Sequence, residues 1–344
     1  AFCRHALYSQ RLFQEKLGVT AKVGYNVDSF GHNGMLPQLL KKAGMDSYVF
    51  MRPGSHENAG LPDLFYWEAP DGSRVLTHKI KYEYTDFWGA PEGTEPLTGK
   101  IRLLESLAEE NHIPYLDFYG VGNHGGGPTI RGLEVLEKAV CENSQIAFAS
   151  TQDYFQDVRG SGLDKDLPVI RGSLLHHASG CYAANSAVKR ANRQGENALL
   201  KAEKFDMLAQ RLTGSKGSAD RLREAWEKVL FNQFHDILAG CSIQDAYEEA
   251  LSAFSAAWDA AYEITQEALH RISWNVKTTR GLSQAPCEKN ALVLWEKEGE
   301  GAPVLVFNPH SFPVHQPVQL NTTVAGVCDH EGRPVPCQLV RGPQ

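Results

Sequence analysis

Short apolar runs alternate with stretches of helical period over residues 19–160, which is the signature of βα units and a largely parallel sheet. The runs Ala21–Tyr25, Ser47–Met51, Val75–Lys79, Tyr115–Tyr119 and Ile146–Ala149 are expected strands, and Leu36–Ala43, Gly99–Asn111 and Thr129–Asn143 are expected helices. Ahead of them Leu7, Leu12, Phe13 and Leu17 form an amphipathic stripe that Gly18 is placed to end as a C-cap. From residue 185 to 272 the period is helical throughout. Leu222, Trp226, Val229 and Leu230 mark one buried stripe, and Leu251, Phe254, Trp258, Ala261, Thr265, Leu269 and Ile272 mark another. An antiparallel helical bundle is expected there, with Gly214–Ser218 as one of its turns. After a polar, glycine-bearing stretch come four short expected strands, Val304–Phe307, Val318–Leu320, Val324–Cys328 and Val335–Val340, with a hairpin turn at Glu331–Gly332.

These changes of period divide the 344 residues into segments 1–184, 185–274, a linker 275–303, and 304–344. The first residue is Ala1 rather than Met and the opening segment is already helical, so a chain cut at its start is the expectation; the last segment is too small for a stable β domain by itself, so a cut at the end is expected too.

Composition narrows the chemistry. A 42% hydrophobic chain has ample material for large cores, and a formal charge of −7 leaves no basic face for a phosphate backbone or anionic lipid, so neither a nucleic acid nor a membrane is an expected partner. No apolar run approaches the roughly 20 residues of a membrane helix. The seven cysteines are dispersed without C-x-x-C spacing, which favours a reducing, cytoplasmic setting over a disulfide framework.

Three constellations carry candidate chemistry. In Tyr25-Asn26-Val27-Asp28-Ser29-Phe30-Gly31-His32-Asn33 an aspartate follows an apolar strand, where it can ligate a metal, attack an electrophile or cap the helix expected to begin near Gly34. His32 reads as a structural, hydrogen-bonded histidine. In Phe231 through Ser242 the pair His235-Asp236 stands at a helix end, followed by Gly240, and can face a cleft or merely decorate the terminus with charge. Tyr119 through Thr129 is a glycine-rich loop with Asn123 and His124 at its tip; it lacks the GK[ST] ending of a nucleotide loop and admits close backbone approach to some other ligand.

Taken together the three resemble glycoside hydrolase family 38, the α-mannosidases. Asp28 lies in a D-x-F-G-H element and His235-Asp236 in an H-D-x-x-x-G element. The likeness continues through Leu36-Pro37-Gln38, Pro70-Asp71-Gly72-Ser73, Val75-Leu76-Thr77-His78, Gly122–Thr129, Lys189–Arg193 with Glu196, and Val306–Pro309 with Ser311–Pro313. The resemblance implies an α/β architecture: a β/α catalytic domain with a mainly parallel sheet, a three-helix bundle completing the active site, and the start of a β-sandwich. It implies a hydrolase with one Zn2+ per site, Asp28 as both nucleophile and zinc ligand, and His235 as a second ligand. Phe30, Arg52, Asn123 and Asp236 are implied to bind a mannose-containing oligosaccharide or mannoside. A homo-oligomer is left open.

Two departures matter. The H-x-H-x-D type element that supplies the family's other zinc ligands does not occur before Asp28. Many relatives also carry an acidic residue where this chain has Asn123, so His124 becomes the expected proton donor, with Asp117 as fallback. A metal-dependent carbohydrate deacetylase and a catalytically incomplete carbohydrate-binding piece are the alternatives.

Overall fold

The structure, a computed structural model, describes residues 1–86, 96–122, 125–175, 177–278, 303–321 and 324–340. The elements up to the sheet's last strand are α1 (Phe2–Leu17), β1 (Val23–Asn26), α2 (Leu36–Lys42), β2 (Ser47–Phe50), β3 (Leu64–Glu68), β4 (Arg74–Lys79), α3 (Pro96–Asn111), α4 (Ile130–Glu142), α5 (Thr151–Gly160) and β5 (Val169–Arg171). Then come α6 (Ser186–Thr213), α7 (Ala219–Phe231), α8 (His235–Ala239), α9 (Gln244–Ser273), β6 (Val327–Cys328) and β7 (Pro334–Val335). The chain forms two compact units, Ala1–Asn197 with Arg223–Asp259, and Ala198–Leu222 with Ala260–Gln344.

The first unit holds a five-stranded mixed sheet in the order β1-β2-β4-β3-β5. β1, β2 and β4 run parallel; β3 is antiparallel to β4, from which a turn at Asp71-Gly72 separates it, and β5 is parallel to β3. Both faces of the central strands are covered, as in α/β folds. Tyr48 and Phe50 pack with Phe65, Trp67 and Val75, while Val49 packs with Leu64, Leu76, Phe155 and Val158 in a separate cluster. Each face thus has its own core.

Two segments expected as strands, Tyr115–Tyr119 and Ile146–Ala149, pair with nothing as strands, and the structure shows why for the first. Its alternate carbonyls are taken by side chains: Pro114 O accepts from Tyr154 OH (2.9 Å), Leu116 O from His78 Nε2 (2.8 Å) and Phe118 O from Lys100 Nζ (2.7 Å). A strand ladder is replaced by buried donors on neighbouring elements. β3, β5 and α5 were absent from the sequence expectation. β5 is only three residues long and α5 is short, although its Ser150/Asp153 capping box is a recognisable start signal.

In the bundle, Gly195 of α6 lets α7 and α9 approach; a Cβ there would lie 3.1 Å from Val229 and 3.8 Å from Phe254. Of the expected α9 stripe, Phe254, Ala261, Thr265 and Ile272 are buried and Leu269 packs on a core, whereas Leu251 and Trp258 are exposed; Ala250, Ala257, Ile264 and Ala268 complete the buried face. Small residues occupy the buried positions because the helices lie close. The second unit has a core of Phe205, Ala209, Ala268 and Ile272, onto which Phe307 packs. Val304–Phe307 and Val318–Leu320 form no strand, and of the last four expected strands only the short β6–β7 hairpin, turning at Gly332 (φ 82°), is seen. The expected linker falls largely on 279–302, outside the described residues. Among the described residues no helix is long and apolar enough to cross a membrane.

Two buried histidines fasten the sheet to its loops. His32 Nε2 donates to Arg52 O and its Nδ1 accepts from Tyr48 OH, both at 2.8 Å. His78 Nε2 donates to Leu116 O, and Tyr154 OH lies 3.0 Å from its Nδ1. Burial pulls both rings down from 6.5 to about 4.

Two outcomes follow for stability. Phe50→Ala, at a fully buried site, is expected to cost about 3–5 kcal/mol by urea denaturation, whereas Lys138→Ala on an exposed helix face should stay within about 0.5 kcal/mol. The second concerns pH. Because the native rings refuse protons that the unfolded chain accepts, stability present above pH 6.5 should be lost as pH falls from 6.5 to about 4. Urea midpoints measured across that range should show the slope, and His32→Gln or His78→Gln should each reduce it by about one proton. An unaltered slope in both variants would mean that these rings are not its source.

Candidate active site

The candidate chemistry gathers where three neighbouring parallel strands end. Asn26, Phe50 and Lys79 are level in the β1-β2-β4 register. Asp28 and Arg52 each lie two residues past their strand, and Tyr84 follows β4 by a short loop. Carboxyl ends of parallel strands are where such sheets present polar groups. Asp28 does not cap the next helix: the N-cap of α2 is Met35. Instead its Oδ1 accepts from Arg52 Nε at 2.6 Å and its Oδ2 from Tyr84 OH at 3.1 Å. Burial pushes the carboxyl up, but the Arg52 hydrogen bond and charge, Tyr84 and His235 outweigh it, holding Asp28 below the usual carboxylate range. Its side chain keeps 25% of its exposure, so it is ionised and reachable.

His235 closes the site from the helical segment, with Nε2 3.5 Å from Asp28 Oδ2. The His235-Asp236 pair begins the short α8 rather than ending a long helix, because α7 stops at Phe231. α6 holds that turn in place. Gln233 Nε2 donates to Asn192 Oδ1 (2.7 Å) and Glu196 Oε1 (3.2 Å), and Lys189 Nζ donates to Leu238 O (2.8 Å). The Lys189–Arg193 and Glu196 motif is thereby accounted for as the bracket of α8. Gly240 ends α8 at φ 88°, and a Cβ there would come within 2.9 Å of the Ala184 backbone, so glycine is required on both counts.

Phe30 lies between two histidines, its ring centroid 5.5 Å from His177 and 5.9 Å from His235. Gly31 beside it admits the Tyr182 hydroxyl, which donates to Phe30 O at 3.2 Å; a Cβ on Gly31 would lie 2.3 Å from that hydroxyl. Asp236 is half-buried, with Oδ2 3.8 Å from His235 Nε2 and Oδ1 accepting from the Cys241 thiol. Asp28, Phe30, Arg52, His235 and Asp236 are therefore brought together, and Asn123 and His124 lie outside the described residues. Asp117 is not open to a ligand. Its Oδ2 pairs with Lys100 Nζ at 2.6 Å, its Oδ1 is buried without a hydrogen-bond partner among the described residues, and burial lifts its pKa to about 6 against the pull of Lys100.

Tyr84, Glu57 and His177 were not singled out by the sequence patterns. Tyr84 is one of several tyrosines after β4, and His177 and Glu57 stand in loops of no recognisable motif. The usable signal was their position just beyond the ends of strands.

Among the described residues no group of three or more His, Cys, Asp and Glu is arranged to hold a metal ion. The Asp28–His235 pair does have suitable spacing for two ligands of one tetrahedral ion: bonds of about 2.0–2.2 Å separate such ligands by roughly 3.3–3.6 Å.

Comparison with known proteins identifies the family. The model of the "Glycosyl hydrolases family 38 N-terminal domain" matches residues 1–173, and that of the "Alpha mannosidase middle domain" matches residues 176–272. Alpha-mannosidase G of Dictyostelium discoideum is 29% identical over 260 residues, covering 73% of this chain and 23% of that protein. Human alpha-mannosidase 2C1 is 28% identical, covering 73% and 24%, and the Saccharomyces cerevisiae alpha-mannosidase is 25% identical, covering 86% and 28%. The chain thus spans about a quarter of the length of these relatives. The crystal structure of an alpha-mannosidase from Enterococcus faecalis V583 shares the fold, with a TM-score of 0.66 at 22% identity over 79% of this chain and 32% of that one. With the first model matched across the sheet that carries Asp28, and the second across the helices that carry His235, the chain belongs to glycosyl hydrolase family 38.

Proposed function

We propose that the chain carries the nucleophile side of the active site of a retaining α-mannosidase acting on a mannose-containing oligosaccharide or mannoside. The observation that supports this most is Asp28 itself, an ionised, reachable carboxylate fixed by Arg52 and Tyr84 at the strand ends. A retaining glycosidase needs a carboxylate to attack the anomeric carbon and an acid, about 5 Å away, to protonate the leaving oxygen. Asp28 forms the ester bond to the sugar as the glycosidic bond breaks, and water then displaces it. His124 is the proposed proton donor, and Phe30, Arg52, Asn123 and Asp236 are the proposed contacts to the sugar. The curated relatives named alpha-mannosidase support the substrate class.

One Zn2+ is the proposed cofactor; Asp28 and His235, 3.5 Å apart, would be two of its ligands. When bound, it would take vicinal sugar hydroxyls and favour the axial 2-hydroxyl of mannose.

Labelling of the full-length protein with a fluorinated mannosyl donor tests the nucleophile: mass spectrometry should find the adduct on Asp28. Asp28→Asn should abolish the adduct, reduce turnover by about 10⁴–10⁶-fold and lower zinc content. A deacetylase forms no bond to Asp28 and would leave it unlabelled, and near-normal turnover by Asp28→Asn would remove it from the mechanism. His235→Ala, read by metal analysis after dialysis, should lose zinc, with a urea midpoint matching that of wild-type protein stripped of zinc by a chelator; full zinc retention would exclude His235 as a ligand.

A further inference from the structure

Arg52 touches Asp28 through Nε alone, and that single contact leaves the guanidinium plane free to swing. A bidentate fork would fix it, but Asp28 does not supply one. The second point of attachment comes from elsewhere. Arg52 Nη1 lies 3.4 Å from His177 Nε2, and His177 Nδ1 lies 2.6 Å from Glu57 Oε1. Glu57 is fixed in turn, its Oε2 accepting from Gly54 N–H at 2.9 Å. Burial acts to raise the Glu57 pKa, but that backbone bond and His177 outweigh it and keep the carboxyl below its ordinary range. An ionised Glu57 can only accept, so Nδ1 carries the ring proton, and Nε2 is left with the lone pair that meets the Arg52 N–H.

We infer that His177, oriented by Glu57, is a positioning residue that locks the guanidinium of Arg52 against Asp28. The chain Glu57–His177–Arg52–Asp28 runs from the loop after β2, through the loop after β5, back to the strand end that carries the reactive carboxylate. Phe30 packs against the His177 ring and keeps it facing the site. At the backbone, His32 holds the Arg52 carbonyl at 2.8 Å, so the arginine is held at both ends. His177 acts through Arg52; nothing in the arrangement requires it to touch the sugar. The inference rests on the reading of Asp28 as the nucleophile.

Two near-isosteric variants separate positioning from simple loop fastening. In His177→Asn the amide nitrogen takes the place of Nδ1, keeping the bond to Glu57 and losing the acceptor for Arg52. In His177→Gln the amide oxygen takes the place of Nε2, keeping the acceptor and losing Glu57. In the full-length protein, His177→Asn should lose about 10²-fold in kcat with KM within about twofold, because a nucleophile displaced by about an ångström loses that order of rate. His177→Gln should stay within about tenfold of wild type. The reverse order, with Asn benign and Gln impaired or unstable, would show a role confined to fastening the loop and overturn the proposal, as would equal turnover in both. If the wild-type protein neither hydrolyses a mannoside nor labels on Asp28, the reading of the nucleophile fails instead. A crystal structure of His177→Asn then decides the positioning claim without turnover: Arg52 displaced from Asp28 sustains it, and the 2.6 Å contact retained overturns it.

Discussion

The ion pair between Asp28 and Arg52 is the contact on which the rest of the site depends. It is possible because β1 and β2 are adjacent, parallel and in register, so that residues two positions beyond each strand emerge side by side. Burial at that position acts to raise the carboxyl's pKa. Arg52 reverses the balance, and Tyr84, arriving from the third parallel strand, adds a neutral donor on the other oxygen. Three strand ends thus act together on one carboxyl.

Beneath this layer, buried side chains take the part that backbone ladders play elsewhere. Lys100 is almost wholly buried, yet its ammonium reaches the carbonyls of Glu83, Thr85 and Phe118 as well as Asp117. Two of those carbonyls flank Tyr84, so the loop that delivers the tyrosine to Asp28 is gathered around one buried cation. Such a cation is tolerated only where every proton finds an acceptor. The same logic operates at α8, whose five residues are too few to hold themselves; Lys189, Asn192 and Glu196 of α6 hold the turn that points His235 at the sheet.

How much of this was legible depends on the range of the signal. α2, the α3 and α4 helices, the cores of β1, β2 and β4, and Gly18 and Gly240 as stops were readable because periodicity and capping are local. Asp28 and His235-Asp236 were legible through motif resemblance. The segment Tyr115–Tyr119 looked like a strand because it is a short, largely apolar run between helical patterns, but the identity of its hydrogen-bond partners is a tertiary fact. The α9 stripe was legible in Phe254, Ala261, Thr265 and Ile272 but not at its edges: large apolar residues attract attention, whereas close helix packing buries Ala250 and Ala257 and leaves Leu251 and Trp258 outside. Tyr84, Glu57 and His177 gain their meaning only from what they face, which no spacing within one segment encodes.

The two oxygens of Asp28 are not equivalent, and that asymmetry joins the observed contacts to the proposed chemistry. Oδ1 is committed to Arg52 on the sheet side, whereas Oδ2 faces Tyr84 and His235. A group asked both to ligate a cation and to attack carbon must remain an anion and must not rotate between those duties. Lysine in place of Arg52 would supply charge but only a compact ammonium, without the planar arm that reaches Asp28 at one nitrogen and His177 at another. The guanidinium therefore does two jobs at once: its charge favours the carboxylate anion, and its rigid plane transmits the position of the surrounding loops to Oδ1, leaving Oδ2 turned toward His235.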